Sequence, residues 1–298
     1  MKSALAGVAV TSLMVSPSAS AITIHGNLLY SATDFGNSPG IYTFTTEDAA
    51  SLTPVPGGEN ILSHGGGLCV GGDTYYSINA SERTLTVYDT STWFPERTVS
   101  GVTPALGLAY DHAADRIYGC FVSGSPRLGI LDPESGGYSE IGIMRVQPVA
   151  MVTDAASNLF AIGIDGGVYS VNKADASMTL KGNTGVAPFS VQGAVFDTAS
   201  GKCYWAAVRE DYSSGLYEVD LETGKASLLY DFSGQEEITG LFIMPEHDPS
   251  APGTVGGFSA VFNAAETAGT VSFTMPDKTA GGAPLKEKLT WKFRANDY

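Results

Sequence analysis

Carboxylates, histidines and cysteines are the side chains in this sequence that could do chemistry, and their spacing decides which chemistry. Two acids facing each other across a glycosidic bond would make a glycosidase, and the chain carries 31 Asp and Glu. Asp111, Asp154 and Asp197, however, each close the same short pattern: Gly107-Leu-Ala-Tyr-Asp, Ala150-Met-Val-Thr-Asp and Gly193-Ala-Val-Phe-Asp. Regular recurrence points to turn aspartates that bond nearby backbone N–H groups, not to catalysis. Glu237 precedes a related pattern, Gly240-Leu-Phe-Ile-Met, but one carboxylate is not an acid/base pair. His25, His64, His112 and His247 show no HExxH or other metal spacing, and no GxSxG, P-loop, EF-hand or strand-to-helix GxGxxG occurs. Cys69, Cys120 and Cys203 are odd in number, lack CxxC spacing and sit in apolar runs. They read as small buried hydrophobes, not as ligands or a disulfide framework. No cofactor and no metal is expected.

The elements that must position these groups follow from composition and repetition. With 16 Lys and Arg the formal charge is -15, which argues against a nucleic-acid partner held through phosphate contacts. Only 16% of residues are charged while 36 are Gly, the balance of an all-β chain with many turns. Residues 1–21 read as an export signal: Lys2 supplies the positive charge, Ala4 to Val15 the apolar region and Ala19-Ser20-Ala21 the cleavage pattern. The mature chain then begins at Ile22, and no other stretch could span a bilayer.

From there a unit recurs five times with a period of roughly 40 to 50 residues, the range of β-propeller blades with four short strands each. The first strands start at Gly67, Gly107, Ala150, Gly193 and Gly240, and their small heads let backbones converge on a narrow axis. Second strands carry an aromatic after an apolar residue, as in Leu29-Tyr30, Ile117-Tyr118, Leu159-Phe160 and Cys203-Tyr204, rings suited to the space between blades. Third strands alternate and end in a turn former, as in Leu128-Gly-Ile-Leu-Asp132 and Leu216-Tyr-Glu-Val-Asp220. Counting back from Tyr30 as from Tyr118 places the first unit's inner strand inside the leader, while Thr239 to Met244 is an inner strand with no unit after it. The expectation is a five-bladed propeller over residues 22–245, closed by that C-terminal inner strand in a composite blade.

A Pro- and Gly-rich linker is expected at 246–257, followed over 258–298 by a partial β-sandwich. Ser250-Ala-Pro-Gly-Thr and Thr270-Val-Ser-Phe-Thr-Met-Pro276 resemble the opening of a fibronectin type III module, about half of its usual roughly 100 residues. The sequence is therefore expected to end inside a domain of a longer protein. As a whole the chain resembles bacterial secreted or surface proteins that place a propeller of the NHL or YncE-like kind ahead of fibronectin type III modules. The resemblance implies an extracellular or cell-surface location and a binding or display role, with an extracellular glycan or protein as partner; it supplies no ligand.

Loop comparison suggests where that partner binds. Turns after first and third strands are stereotyped, whereas connections after second and fourth strands vary. Asp34-Phe-Gly-Asn-Ser-Pro-Gly and Arg209-Glu-Asp-Tyr-Ser-Ser are the long ones, and composite closure makes their blades neighbours. The candidate binding residues are Asp34, Phe35, Arg209, Glu210, Asp211 and Tyr212, with His64, Gln147 and Glu237 at the heads of inner strands lining the mouth of the axis. Two functions remain in view: a non-catalytic binding or display protein, and a propeller carbohydrate-active enzyme, a glycosidase or lyase, that uses Glu237.

Overall fold

The structure, a computed structural model, describes residues 21–31, 38–48, 51–244, 256–262 and 269–274. It is all-β. In the first of two compact units, Met1–Ile243, β1 (Thr23–Tyr30), β2 (Gly40–Thr45) and β3 (Thr53–Glu59) open the chain. Four further groups follow, each an antiparallel sheet in chain order. They are β4–β7 (Gly67–Val70, Thr74–Asn79, Thr84–Asp89, Pro95–Ser100) and β8–β11 (Ala105–Asp111, Arg116–Ser123, Ser125–Leu131, Tyr138–Ile143). Next come β12–β15 (Pro148–Thr153, Leu159–Gly163, Gly167–Val171, Met178–Asn183) and β16–β19 (Gly193–Asp197, Lys202–Val208, Ser214–Val219, Ala226–Asp231). The last strand of the unit, β20 (Glu237–Phe242), pairs antiparallel with β1, which gives that sheet the order β20-β1-β2-β3. Five four-stranded sheets make a five-bladed propeller.

The inner strands touch backbone to backbone. A Cβ on Gly67 would lie 3.0 Å from the Cα of Gly240, and one on Gly193 3.0 Å from the carbonyl carbon of Thr239. Only about 10 Å³ of cavity remains along the axis, between Gly67, Gly107, Met151, Gln192 and Gly240, room for a single water at most.

Large side chains fill the gaps between sheets. Tyr118 and Leu128 of the third sheet pack on Met151 and Leu159 of the fourth, Phe160 and Ile162 of the fourth on Trp205 and Tyr217 of the fifth. Tyr204 and Leu216 of the fifth meet Ile24 and Phe44 of the first, and Ile78 and Leu85 of the second meet Phe121 and Leu131 of the third. Each such side chain contributes roughly 1.5–3 kcal/mol by leaving water.

The first and second sheets meet through a polar seam. Asn27 donates to the carbonyls of Gly40 (3.0 Å) and Ile61 (2.7 Å) and accepts from the Ser63 N–H (2.6 Å). The Ser63 hydroxyl bonds those of Tyr75 (3.0 Å) and Ser77 (2.8 Å), and Thr239 donates to the Ser63 carbonyl. These groups are buried and satisfy one another. Beside them Phe242 stacks on His25 at 4.9 Å and meets Tyr75, which in turn meets Trp93 edge-on at 5.6 Å. Trp93 holds φ at 58° to reach this place, where the matching turns of the third and fifth sheets have Gly136 and Gly224.

One reading of the first unit is corrected. Tyr30 is not the counterpart of Tyr118 or Phe160: it stands at the far end of β1 and is exposed. His25 pairs with Thr43, three residues after the Gly40 that opens β2, just as Phe160 pairs with Ser170, three after Gly167. The equivalent position is therefore His25, five residues earlier. A one-residue bulge between third and fourth strands recurs in four sheets, and a larger register shift stands there in the first; such bulges add twist to a blade.

The second unit is Met244–Tyr298. Its described part is one antiparallel pair, β21 (Gly256–Phe262) with β22 (Gly269–Thr274). The expected signal through residue 20, most of the linker and the third sandwich strand at Leu285 to Ala295 lie outside the described residues.

The axial contact carries a prediction. Gly240 has φ +54, and a Cβ there would stand 2.4 Å from the Tyr75 hydroxyl and 2.9 Å from Gly67 Cα. Gly240→Ala should cost about 3 kcal/mol by combining left-handed strain with overpacking. Gly101→Ala, at φ +81 with open space around it, should cost about 1 kcal/mol. Urea unfolding of the two variants side by side checks the difference.

Candidate functional site

The connections from second to third strands, and from fourth strands to the next inner strand, emerge on one face of the propeller. There backbone bonds strap neighbouring loops together. Ile164 N–H donates to Gln147 O (2.9 Å), Thr184 N–H to Gly166 O (2.9 Å), Glu210 N–H to Ala187 O (3.1 Å) and Phe189 N–H to Val208 O (2.8 Å). Gln192, buried under the same loops, donates to the carbonyls of Phe189 and Val208. The belt holds the Phe189 and Tyr212 rings edge to face at 5.1 Å while leaving them 43% and 57% exposed. Burying such rings is favourable, which makes the exposed pair a candidate for contact with another molecule.

Next to Phe189, Ser190 takes φ 67° and donates its hydroxyl to Glu237 Oε1 at 2.6 Å. Burial pushes the Glu237 carboxyl up from its ordinary value, against the Ser190 hydrogen bond and the nearby His64, which favour the charged form. His64 itself is held by Ser81, whose N–H donates to Nε2 at 3.1 Å. Gln147 is exposed and uses its carbonyl in the belt. Glu210 and Asp211 are exposed, and Asp211 accepts the Ser213 N–H, which orders the loop around Tyr212. The Arg209 guanidinium is committed: it donates to the Tyr217 hydroxyl, the Ser214 carbonyl and Asp231, with Tyr217's ring beneath it. Asp34 and Phe35 lie outside the described residues. The structure thus brings Tyr212, Glu237 and His64 to one face and adds Phe189 and Ser190. Those two follow Val186-Ala-Pro188, which has counterparts in Val102-Thr-Pro104 and Val146-Gln-Pro148, and lie in extra residues before Gly193; a lone Phe in that insertion is the sign the sequence carries.

The recurring aspartates are turn residues. Asp154 accepts from the Ala156 and Asn158 N–H groups, Asp197 from Ala199 and Ser200, and Asp111 from Ala113 and Ala114. Asp111 is also 1% exposed and takes a 2.5 Å bond from the Lys173 ammonium of the next sheet. The three cysteines are free thiols, each pushed up to about 12 by burial. A concavity of about 620 Å³ lies over β13–β15 among Asn158, Phe160, Ser170, Asn172, Lys181 and Glu222, with Lys181 paired to Glu222. No expected site residue lines it. Among the described residues no group of three His, Cys, Asp or Glu is placed to hold a metal, and no helix is long and apolar enough to cross a membrane.

No family model matches the chain, and no curated protein matches it in sequence. Solved structures similar to it include a structural genomics protein of unknown function from Bacteroides thetaiotaomicron, 11% identical over 69% of this chain with a TM-score of 0.44. The chain spans 64% of that protein's length. Others are a chain of a nidogen/laminin complex, 13% identical, covering 76% of this chain and 98% of its own, TM-score 0.47. Hydrazine synthase of Kuenenia stuttgartiensis is 9% identical over 73% of this chain and 57% of its own, TM-score 0.40.

The Asp111 carboxyl yields a prediction with a sign. Burial works to raise its pKa, but the Lys173 ammonium and the turn's N–H groups hold it below the ordinary value. Its stabilisation is therefore complete above the unfolded value of about 3.9 and is lost as pH falls through the lower folded value. Asp111→Asn should lower stability by about 2 kcal/mol at pH 7, with the deficit shrinking as pH falls below the unfolded value of about 3.9; urea midpoints across acid and neutral pH measure it.

Proposed function

We propose that this chain is an exported, non-catalytic binding or display protein whose propeller presents the Phe189–Tyr212 face to an extracellular glycan or protein. Residues 1–21 are its cleaved export signal, and 258–298 the start of a fibronectin type III-like module, as the resemblance to NHL or YncE-like surface propellers implies. The observation that carries the reading is the exposed edge-to-face ring pair, strapped in place beside the Ser190–Glu237 hydrogen bond at the mouth of the axis. Such a surface offers ring faces for stacking and a carboxylate for hydrogen bonding. The axis behind it is filled, so a ligand sits on the face and does not enter a funnel.

Protein lacking residues 1–21, tested against panels of polysaccharides and extracellular proteins, should bind without turnover. Release of reducing ends that Glu237→Gln abolishes would instead make it a carbohydrate-active enzyme. Phe189→Ala with Tyr212→Ala should weaken the bound ligand by more than ~1 kcal/mol, about fivefold in Kd, without altering the melting temperature. N-terminal sequencing of secreted product should begin at Ile22.

A further inference from the structure

Resting on that reading of the mouth face, we infer that its partner is a protein segment carrying Lys or Arg among aliphatic side chains. Ring pairs alone would suit a sugar, but the exposed surface is broader and partly aliphatic. Tyr30, paired in register with Glu237, and Ile164, strapped to Gln147, are 57% and 41% exposed and extend the Phe189–Tyr212 patch along the belt. Val122 and Ile143 are exposed at the mouth-side ends of β9 and β11. Among the described residues the opposite face carries Phe94, and the outer strands β15 and β19 carry Leu180, Leu228 and Leu229. An aliphatic side chain such as Ile164 has no π-face to stack on a pyranose, whereas it packs on Leu, Val or a Lys stem. The asymmetry between faces is the signature of an apolar contact surface for another macromolecule.

Charge selects the kind of macromolecule. Glu210 and Asp211 directly precede Tyr212, and Glu237 lies beside Phe189's neighbour Ser190. The cation of the same loop, Arg209, is consumed by Asp231 and Tyr217. Asp211 accepts from Ser213 and feels Arg209, and Arg145 beside Gln147 is an exposed cation over Tyr169. Glu210, Asp211 and Glu237 nevertheless outnumber Arg145 and Arg209 around the patch, and an apolar patch so rimmed complements a cationic segment. A second copy of a chain with charge -15 is a poor occupant. Because the loops are already strapped, little ordering is needed on binding.

The test immobilises protein lacking residues 1–21 and measures Kd for a peptide alternating Lys and Leu, a Lys/Ser peptide of equal charge, a Glu/Leu peptide and a panel of neutral polysaccharides. The Lys/Leu peptide should bind best, and more weakly as salt rises. Glu210→Gln with Asp211→Asn should raise its Kd at least tenfold, and so should Ile164→Ser with Tyr212→Ala, each with an unchanged melting temperature. Glu47→Gln with Asp115→Asn, the same charge change on the opposite face, should leave it unaltered. If both charge variants weaken the peptide equally, or the Lys/Ser peptide binds as well as Lys/Leu, the attraction is non-specific and the inference is overturned. If a polysaccharide binds and responds to Tyr212→Ala while Lys/Leu does not, the partner class is wrong and the mouth-face reading stands. If no probe responds to Ile164→Ser with Tyr212→Ala, both fall.

Discussion

The arrangement depends on a backbone contact that admits no side chain. Where β4 and β20 pass each other at the axis, Gly67 and Gly240 face one another with the Tyr75 hydroxyl wedged against both, closer than any Cβ allows. Tyr75 can stand there because Ser63 supplies its hydrogen bond and Ser77 shares the same hydroxyl; a buried phenol without a partner would cost more than its ring gains. The position of Ser63 is in turn fixed by Asn27 of β1 and Thr239 of β20. One network therefore ties the second sheet to strands from near opposite ends of the propeller's chain. It also fills the axis, which leaves the faces and the outer strands as the places where a ligand can meet the molecule.

This explains why one of the interfaces between sheets is unlike the others. Four are apolar clusters of the kind that any pair of alternating strands builds. The seam between the first and second sheets adds directional polar bonds, which specify register where hydrophobic area alone would tolerate a slip. Trp93 belongs to the same logic. Its turn accepts a left-handed residue at the position where Gly136 and Gly224 stand in other blades, and strain of about 1–2 kcal/mol is offset by a ring buried against Tyr75 and Phe242.

Period-2 alternation, inner strands headed by small residues and Asp-opened turns made five blades legible from sequence, because each is a local backbone requirement that recurs from blade to blade. The first blade was legible only in part. Its inner strand comes from elsewhere in the chain, so nothing local anchors the alignment, and Tyr30 offers an aromatic where the true register position holds His25. The recurrent bulges leave no residue signature, since what marks them is pairing geometry. At the candidate site Tyr212 and Glu237 were visible as a loop aromatic and a strand-heading acid, whereas Phe189 and Ser190 were not. Their placement comes from hydrogen bonds between loops far apart in sequence, as with Phe189 and Val208. Arg209 shows the converse: a charge in a variable loop looks available until Asp231 and Tyr217 are seen to hold it.

The two faces differ in what links one loop to the next. On the stereotyped face aspartates bond the amides of their own turns, and in Asp132 and Asp220 the Ser and Thr hydroxyls and backbone N–H groups hold the carboxyl below its ordinary value. Those charges are spent on backbone geometry, so the residue type cannot change without loosening the turn. On the mouth face Asp165 and Asp211 also bond turn amides and the Gln192 side chain ties Phe189 to Val208, but main-chain N–H and carbonyl groups make further straps between neighbouring loops. Backbone bonds do not depend on which side chain each loop carries. A loop can therefore be rigid and still vary freely in its exposed residues, which is the combination that recognition of a particular partner requires.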